Sequence, residues 1–251
     1  MIKKLDLGKL KGNSRIAVLS DIHFGDGHLS MDTVNTLCAR LEIEDYDLII
    51  LAGDIIELWG HPDRSNAILQ HETLRTFLKC AHKLRGEIVY VRGNHDYDLS
   101  LPRLRGGERL QEAVNLVFGE MVGTLEFRIH GKKFRIQHGD SYDPANADGG
   151  KWWARLLSSF NMILGNAGIY YGKYRDKFSF ARDASDRMHE DQLQRVLNRN
   201  WDVDFFIFGH THRPLIRKSD KRVVLVNAGS VMQGETFVVI ENGVPSIANL
   251  G

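Results

Sequence analysis

The strongest constraint on this chain is the repetition of one short pattern. Three runs rich in Val, Ile and Leu, RIAVLSD (15–21), DLIILAGD (47–54) and EIVYVRGNHD (87–96), each close on polar residues. Near-continuous apolar runs of that length suit strands covered on both faces. Between them, MDTVNTLCARLE and SNAILQHETLRTFLKCAHKLRG carry helical periodicity. In the second, Leu74, Phe77, Leu78, Ala81 and Leu84 recur at helical spacing before Gly86 stops the turn. Strand, helix, strand, helix, strand predicts a parallel sheet whose strands bring their carboxyl ends to one edge, where α/β proteins place ligands.

After Asp96 the rhythm changes. ERLQEAVNLVFG reads as a helix, and TLEFRIHGKKFRIQHGD as two strands turned at His130, Gly131 and Lys132, the second ending at His138. A long segment of helical periodicity, 143–202, then interrupts the strands. VDFFIFGHTHRP resumes them, followed by LIRK, RVVLVNAGS and TFVVIENG as short strands of a second sheet. With no repeat and no linker rich in Pro and Ser, a single domain over 1–251 with a helical insertion at 143–202 is expected.

Composition narrows the function classes. A chain of 251 residues, 43% hydrophobic and 26% charged, fits a globular protein, and its net charge of +1 gives no electrostatic reason to expect nucleic acid as the default partner. No run of about 18 uncharged apolar residues is present, so a cytoplasmic protein that does not span the membrane is expected. Cys38 and Cys80 sit among apolar residues in helical patterns and read as buried free thiols.

The strand ends carry the chemistry. In order they supply Asp21 and His23, then Asp54, then Asn94, His95 and Asp96, then His138 with Asp140, and finally His210 and His212. Any one of these alone is a turn or a cap. Their recurrence at five successive strand ends is what turn-forming residues alone do not account for. Gly53, Gly93 and Gly209 directly precede Asp54, Asn94 and His210, letting the backbone turn sharply beside a bound ion or ester. Asp, Asn and His without Cys suit Mn, Fe, Zn, Ni or Co. Asp21, His23, Asp54, Asn94, His138, His210 and His212 exceed one tetrahedral site and suit two divalent metal ions sharing a carboxylate.

The ordered set DIH, GDIIE, GNHD, HGD and GHTH resembles the motifs of the calcineurin-like metallophosphoesterase superfamily over residues 15–229. The resemblance implies a four-layer αββα sandwich with a dinuclear centre at the sheet edges. It implies one metal on Asp21, His23, Asp54 and His212 and a second on Asp54, Asn94, His138 and His210, with Asp54 as the bridge. His95 matches a histidine that holds no metal; it stabilises the transferring phosphoryl group or protonates the leaving oxygen, with Asp96 holding its tautomer. The implied reaction is in-line attack by a metal-bridging hydroxide. Asp140 either orients His138 or closes the turn. His28, His61, His71, His82, His130 and His189 match no family position and read as structural.

Substrate is less constrained. GDIIELWG and GNHD depart from the protein Ser/Thr phosphatase pattern, whereas GDIIELW is similar to the Glu-x-Trp stretch of UDP-2,3-diacylglucosamine hydrolases, which are pyrophosphatases. Those enzymes commonly carry Arg where His95 stands and a Cys-containing acidic run where this chain reads SYDPANADGG. The apolar residues of KWWARLLSSFNMIL exceed one helix stripe; packing within the insertion, subunit contact, an acyl-chain groove and peripheral contact with the inner face of the membrane are all compatible with them. Two rival functions are a Mn-dependent nuclease or nucleotide phosphodiesterase, and a non-catalytic scaffold. The first lacks an aromatic and basic strand-binding channel; the second would be expected to lose ligands, and none of the seven is missing here.

Overall fold

The computed structural model describes residues 2–5, 14–58, 69–96, 107–119, 121–143, 179–200, 202–220 and 222–251. The three apolar runs form β2 (Arg15–Leu19), β3 (Leu48–Ala52) and β4 (Glu87–Val91), paired in parallel with Ile16 opposite Leu48 and Leu48 opposite Glu87. Helix α1 (Met31–Glu44) connects β2 to β3, its first turn capped by Ser30 Oγ accepting from Thr33 N at 3.0 Å. Helix α2 (Glu72–Ala81) precedes β4, and helix α3 (Gly107–Phe118) follows it.

The second sheet contains β1 (Ile2–Lys4), β5 (Thr124–Ile129), β6 (Lys132–Ile136), β7 (Phe205–Phe208), β8 (Leu215–Lys218) and β9 (Val224–Asn227), in the order β1-β5-β6-β7-β9-β8. One sequence expectation is corrected here. TFVVIENG forms β10 (Thr236–Glu241), which pairs antiparallel with β2 in the first sheet, and β11 (Val244–Asn249) completes the order β11-β10-β2-β3-β4.

Alternation along the strands builds the layers. In β2, Ile16 and Val18 point between the sheets with Ile50, Phe134, Ile136 and Ile207, while Ala17 and Leu19 point outward against Leu37 of α1, Phe77 of α2 and Val114 of α3. The outer face of the second sheet buries Phe206, Phe208 and Leu225 against Leu193 and Val196 of α4 (Ser179–Arg199). Helices, sheet, sheet and helix make the expected four-layer αββα sandwich. A helix α5 (Val231–Gly234) leads into β10. Of the expected insertion, 144–178 and 201 lie outside the described residues, and with them the KWWARLLSSFNMIL stretch; 179–199 is helical. Cys38 and Cys80 are buried free thiols. Among the described residues no helix is long and apolar enough to cross a membrane.

Candidate metal centre

The carboxyl ends of β2 and β3 in one sheet and of β6 and β7 in the other bring six of the seven expected donors into two groups. These are Asp21, His23 and His212, and Asp54, His138 and His210, with the ligand atoms of each group within 4.8 Å of one another. The seventh, Asn94, is buried in the turn that follows β4. The backbone itself is bent for this purpose. Asp21, His23, Asp54, His210 and His212 all have positive φ, at 53°, 55°, 52°, 67° and 55°. That left-handed conformation costs a non-glycine residue on the order of 1–2 kcal/mol, so the concentration of five such residues marks a site where geometry has been bought with stability.

Hydrogen bonds fix which atoms face the convergence points. Asp21 Oδ2 accepts from Ser20 Oγ at 2.6 Å and from the His210 backbone N–H at 2.9 Å, leaving Oδ1 turned toward His212 Nε2 at 3.0 Å. His138 Nδ1 donates to the Ala52 carbonyl at 3.0 Å, which turns its Nε2 to within 2.9 Å of Asp54 Oδ2. Asp21 Oδ1, His23 Nε2 and His138 Nε2 are buried atoms without a hydrogen-bond partner among the described residues; the approaches of His212 to Asp21 and of His138 to Asp54 are ion-pair contacts between imidazole and carboxylate. Buried polar atoms left in that state cost about 1–3 kcal/mol each. Carboxylate oxygens and imidazole nitrogens converging on common points fit a divalent cation, which the imidazoles take up as they lose a proton, and oxygen and nitrogen donors without sulfur suit the metals expected from the sequence.

Charge reinforces the arrangement. Burial pushes Asp21 up, but the imidazoles of His212 and His138 overcome it and bring it down to about 2. Burial likewise opposes ionisation of Asp54, which His138 and His95 hold well below the ordinary carboxylate range. His138 is drawn down by burial and raised further by Asp54 and Asp21, to a net value well above normal.

His95 lies next to these groups, its ring 4.8 Å from that of His23 and its Nε2 3.9 Å from Asp54 Oδ2. The carboxylate that holds it is not Asp96. Both Asp96 oxygens are committed to the backbone N–H groups of Asp54, Ile55, Ile56 and Gly93 and to the Tyr90 hydroxyl. Glu57 Oε2 instead accepts from His95 Nδ1 at 2.6 Å and from His23 Nδ1 at 3.0 Å. His23, Glu57 and His95 form a third donor group, but with the Nδ1 of each ring already hydrogen-bonded to Glu57 Oε2 it is a hydrogen-bonded triad rather than a cation cradle. Burial lowers the His95 pKa, and Asp54 and Glu57 more than reverse this, to about 9.

Sequence reasoning missed Glu57, although a lone acid in GDIIELW three residues beyond Asp54 was the available signal. It also missed Asp143, whose Oδ2 stands 2.9 Å from His210 Nε2, and Asn227, whose Nδ2 donates to Gly209 O at 3.1 Å and Thr211 Oγ1 at 2.8 Å and so props the GHTH turn. Asp140 opens a 3₁₀ turn (Asp140–Tyr142), while the acceptor for His138 Nδ1 is Ala52 O. His28, His71, His82, His130 and His189 enter none of the three donor groups; His61 lies outside the described residues.

Cation-capable cradles at the carboxyl ends of two apposed sheets place the protein among the metal-dependent phosphoesterases. The chain belongs to the calcineurin-like phosphoesterase family, which it matches over residues 14–214. It is similar to a UDP-2,3-diacylglucosamine hydrolase of Shewanella oneidensis, 26% identical with 89% of this chain and 95% of the relative covered. A second UDP-2,3-diacylglucosamine hydrolase, from Photorhabdus laumondii, is 22% identical with 92% and 97% covered. Among solved structures, Yfce, a phosphoesterase from E. coli, shares the fold at a TM-score of 0.50 and 13% identity, with 94% of this chain and 93% of that chain covered.

Proposed function

We propose that the protein hydrolyses a phosphate ester or pyrophosphate with two divalent cations, Mn²⁺ first among Mn, Fe, Zn, Ni and Co. One cation is assigned to Asp21, His23, Asp54 and His212 and the other to Asp54, Asn94, His138 and His210. The observation that carries this reading is the pair of adjoining donor groups, each with a buried imidazole Nε2 that finds no hydrogen-bond partner among the described residues. When bound, such cations make water more acidic and neutralise charge on the phosphoryl oxygens.

The chain's own residues supply the remainder. Asp21 and Asp54 provide negative charge that stays ionised near neutrality. His95 keeps its Nδ1–H on Glu57 and a proton on Nε2, with a pKa raised to about 9. Its position beside the donor groups, with Nδ1 held by Glu57 and Nε2 3.9 Å from Asp54 Oδ2, supports a role as the acid that hands a proton to the leaving oxygen, Glu57 stabilising the imidazolium until the transfer. Asp96 acts on the backbone that presents these groups.

Support for the substrate comes from the relatives' names: the reading extends to a UDP-linked glycolipid pyrophosphate such as UDP-2,3-diacylglucosamine, handled by a cytoplasmic protein at the inner face of the membrane. The test is hydrolysis with Mn²⁺ of a phosphomonoester, a phosphodiester, single-stranded DNA and UDP-2,3-diacylglucosamine. Release of UMP from the last at the highest kcat/KM is the expected result; preferential degradation of DNA would establish the nuclease alternative, and no metal-dependent rate on any of them the scaffold.

A further inference from the structure

Asp143 follows a turn that is locked in place from three sides. Tyr142 is buried with its ring 5.7 Å from Phe206 in a T-shaped contact. Its hydroxyl donates to Gln137 Oε1 at 2.7 Å and accepts from Asn200 Nδ2 at 2.9 Å. From α4, Gln192 Nε2 donates to Gly139 O at 3.1 Å. The next residue after this anchored turn is therefore aimed, and what it meets is His210: Asp143 Oδ2 to His210 Nε2 is 2.9 Å. Asp143 is 19% exposed in its side chain and His210 12%, so the contact is largely withdrawn from water.

We propose that Asp143 is the positioning residue for His210. By accepting the Nε2–H it leaves the lone pair on Nδ1, so His210 would hold its cation through Nδ1. His23 and His138 are held the opposite way, each with Nδ1 hydrogen-bonded and Nε2 facing the site. This inference rests on the ligand assignment of His210 made above. A carboxylate behind a ligating imidazole fixes its tautomer and raises its basicity, and its removal typically weakens metal binding 10–100-fold. Through Tyr142 and Gly139 the same contact makes the orientation of His210 depend on α4, a connection that the GHTH motif alone does not contain.

Two measurements on the full chain test this. In Mn²⁺ titrations, wild-type protein should bind two equivalents. Asp143→Ala should weaken one of them about 10–100-fold and leave the other unchanged, while Asp143→Asn, isosteric and still able to accept Nε2–H, should fall between. In ¹⁵N spectra of zinc-loaded protein with labelled histidine, His210 should show a protonated Nε2 and a metallated Nδ1. Equal affinities for both equivalents in wild type and Asp143→Ala, or a His210 metallated at Nε2, would overturn the role of Asp143 while leaving the two-cation reading intact. Wild-type protein that takes up no cation overturns both.

Discussion

Asp54 and Asp96 clasp each other's loops: Asp96 Oδ2 accepts the backbone N–H of Asp54 at 2.7 Å, and Asp54 Oδ1 accepts the backbone N–H of His95 at 2.8 Å. Asp96 thus ties the end of β3 to the end of β4. Its remaining donors, from Ile55 at 3.0 Å, Ile56 at 2.9 Å, Gly93 at 2.9 Å and the Tyr90 hydroxyl at 2.7 Å, use both oxygens.

Asp96→Asn would turn an amide NH₂ against N–H groups at a fully buried position. Several donors lose their acceptor together, so a loss of about 2–5 kcal/mol is expected, measured by denaturant unfolding of cation-free protein. Cation binding should weaken in the same variant because Asp54 and Asn94 lose their shared frame. A variant as stable as wild type but slowed in turnover would return Asp96 to the tautomer-holding role that the sequence suggested.

Two substitutions separate cation binding from proton transfer. Asp54→Ala removes the carboxylate assigned to both cations, so activity should disappear and both equivalents should be sharply weakened. His95→Ala should keep both cations and lose about 10²–10⁴ in rate, the usual range for a general acid. Metal analysis after gel filtration, alongside initial rates, distinguishes them; loss of metal from His95→Ala would reassign His95 as a ligand.

Glu57→Gln is expected to act through pH. Asp54 and Glu57 raise His95 against burial to about 9, so deleting one of these charges lets the pKa fall. The protonated acid is then lost at lower pH, and the alkaline limb of the rate profile should move toward neutrality. Rates at pH 6 should suffer less than rates at pH 8.5. A parallel drop at all pH values would mean that Glu57 only supports the fold.

The parts of the molecule legible in the sequence were those with a local signature. Apolar runs bounded by helical periodicity marked β2, β3 and β4, and the glycines marked the strand ends. The partner of β10 was not legible, because Val238 and Ile240 facing the inter-sheet core and Phe237 facing the helices form an alternation that either sheet would accept. The left-handed backbone at His23, His210 and His212 was equally hidden, since histidine carries no mark of that conformation. Glu57 was visible as a residue but not as a partner: only the bridge pairing Phe24 with Ile56 brings it beneath His23 and His95.

Cation uptake should release protons. In the cation-free protein His138 and His23 are raised above the ordinary imidazole value, so both are substantially protonated near neutrality and must lose a proton to bind a cation. Apparent affinity should therefore rise with pH, and the binding heat should change with the ionisation enthalpy of the buffer. Stability runs the other way. A group with a raised folded pKa contributes stability that is complete below its unfolded value, near 6.5 for histidine, and is lost as pH rises through the folded value. In cation-free protein the share of this stability due to His95, on the order of 1–3 kcal/mol, should be lost between about pH 6.5 and 9. Cation-loaded protein should show little of this slope.

Gly53→Ala tests whether the placement of His138 depends on backbone space. Gly53 has φ +91°, and a Cβ there would stand 2.5 Å from His138 Cγ and Nδ1, closer than real contacts allow. The ring would have to move, breaking its bond to Ala52 O and turning Nε2 away from Asp54. Conformational strain and the clash together should cost about 2–4 kcal/mol. The cation group of Asp54, His138 and His210 should lose affinity more than that of Asp21, His23 and His212. Gly131→Ala is the control, because Gly131 shares a positive φ of +73° but a Cβ there meets nothing within 4 Å. It should lose about 1 kcal/mol from backbone strain alone and bind both cations as wild type does. If both variants retained both cations with equal affinity, the close approach of Gly53 to His138 would have no part in building the site.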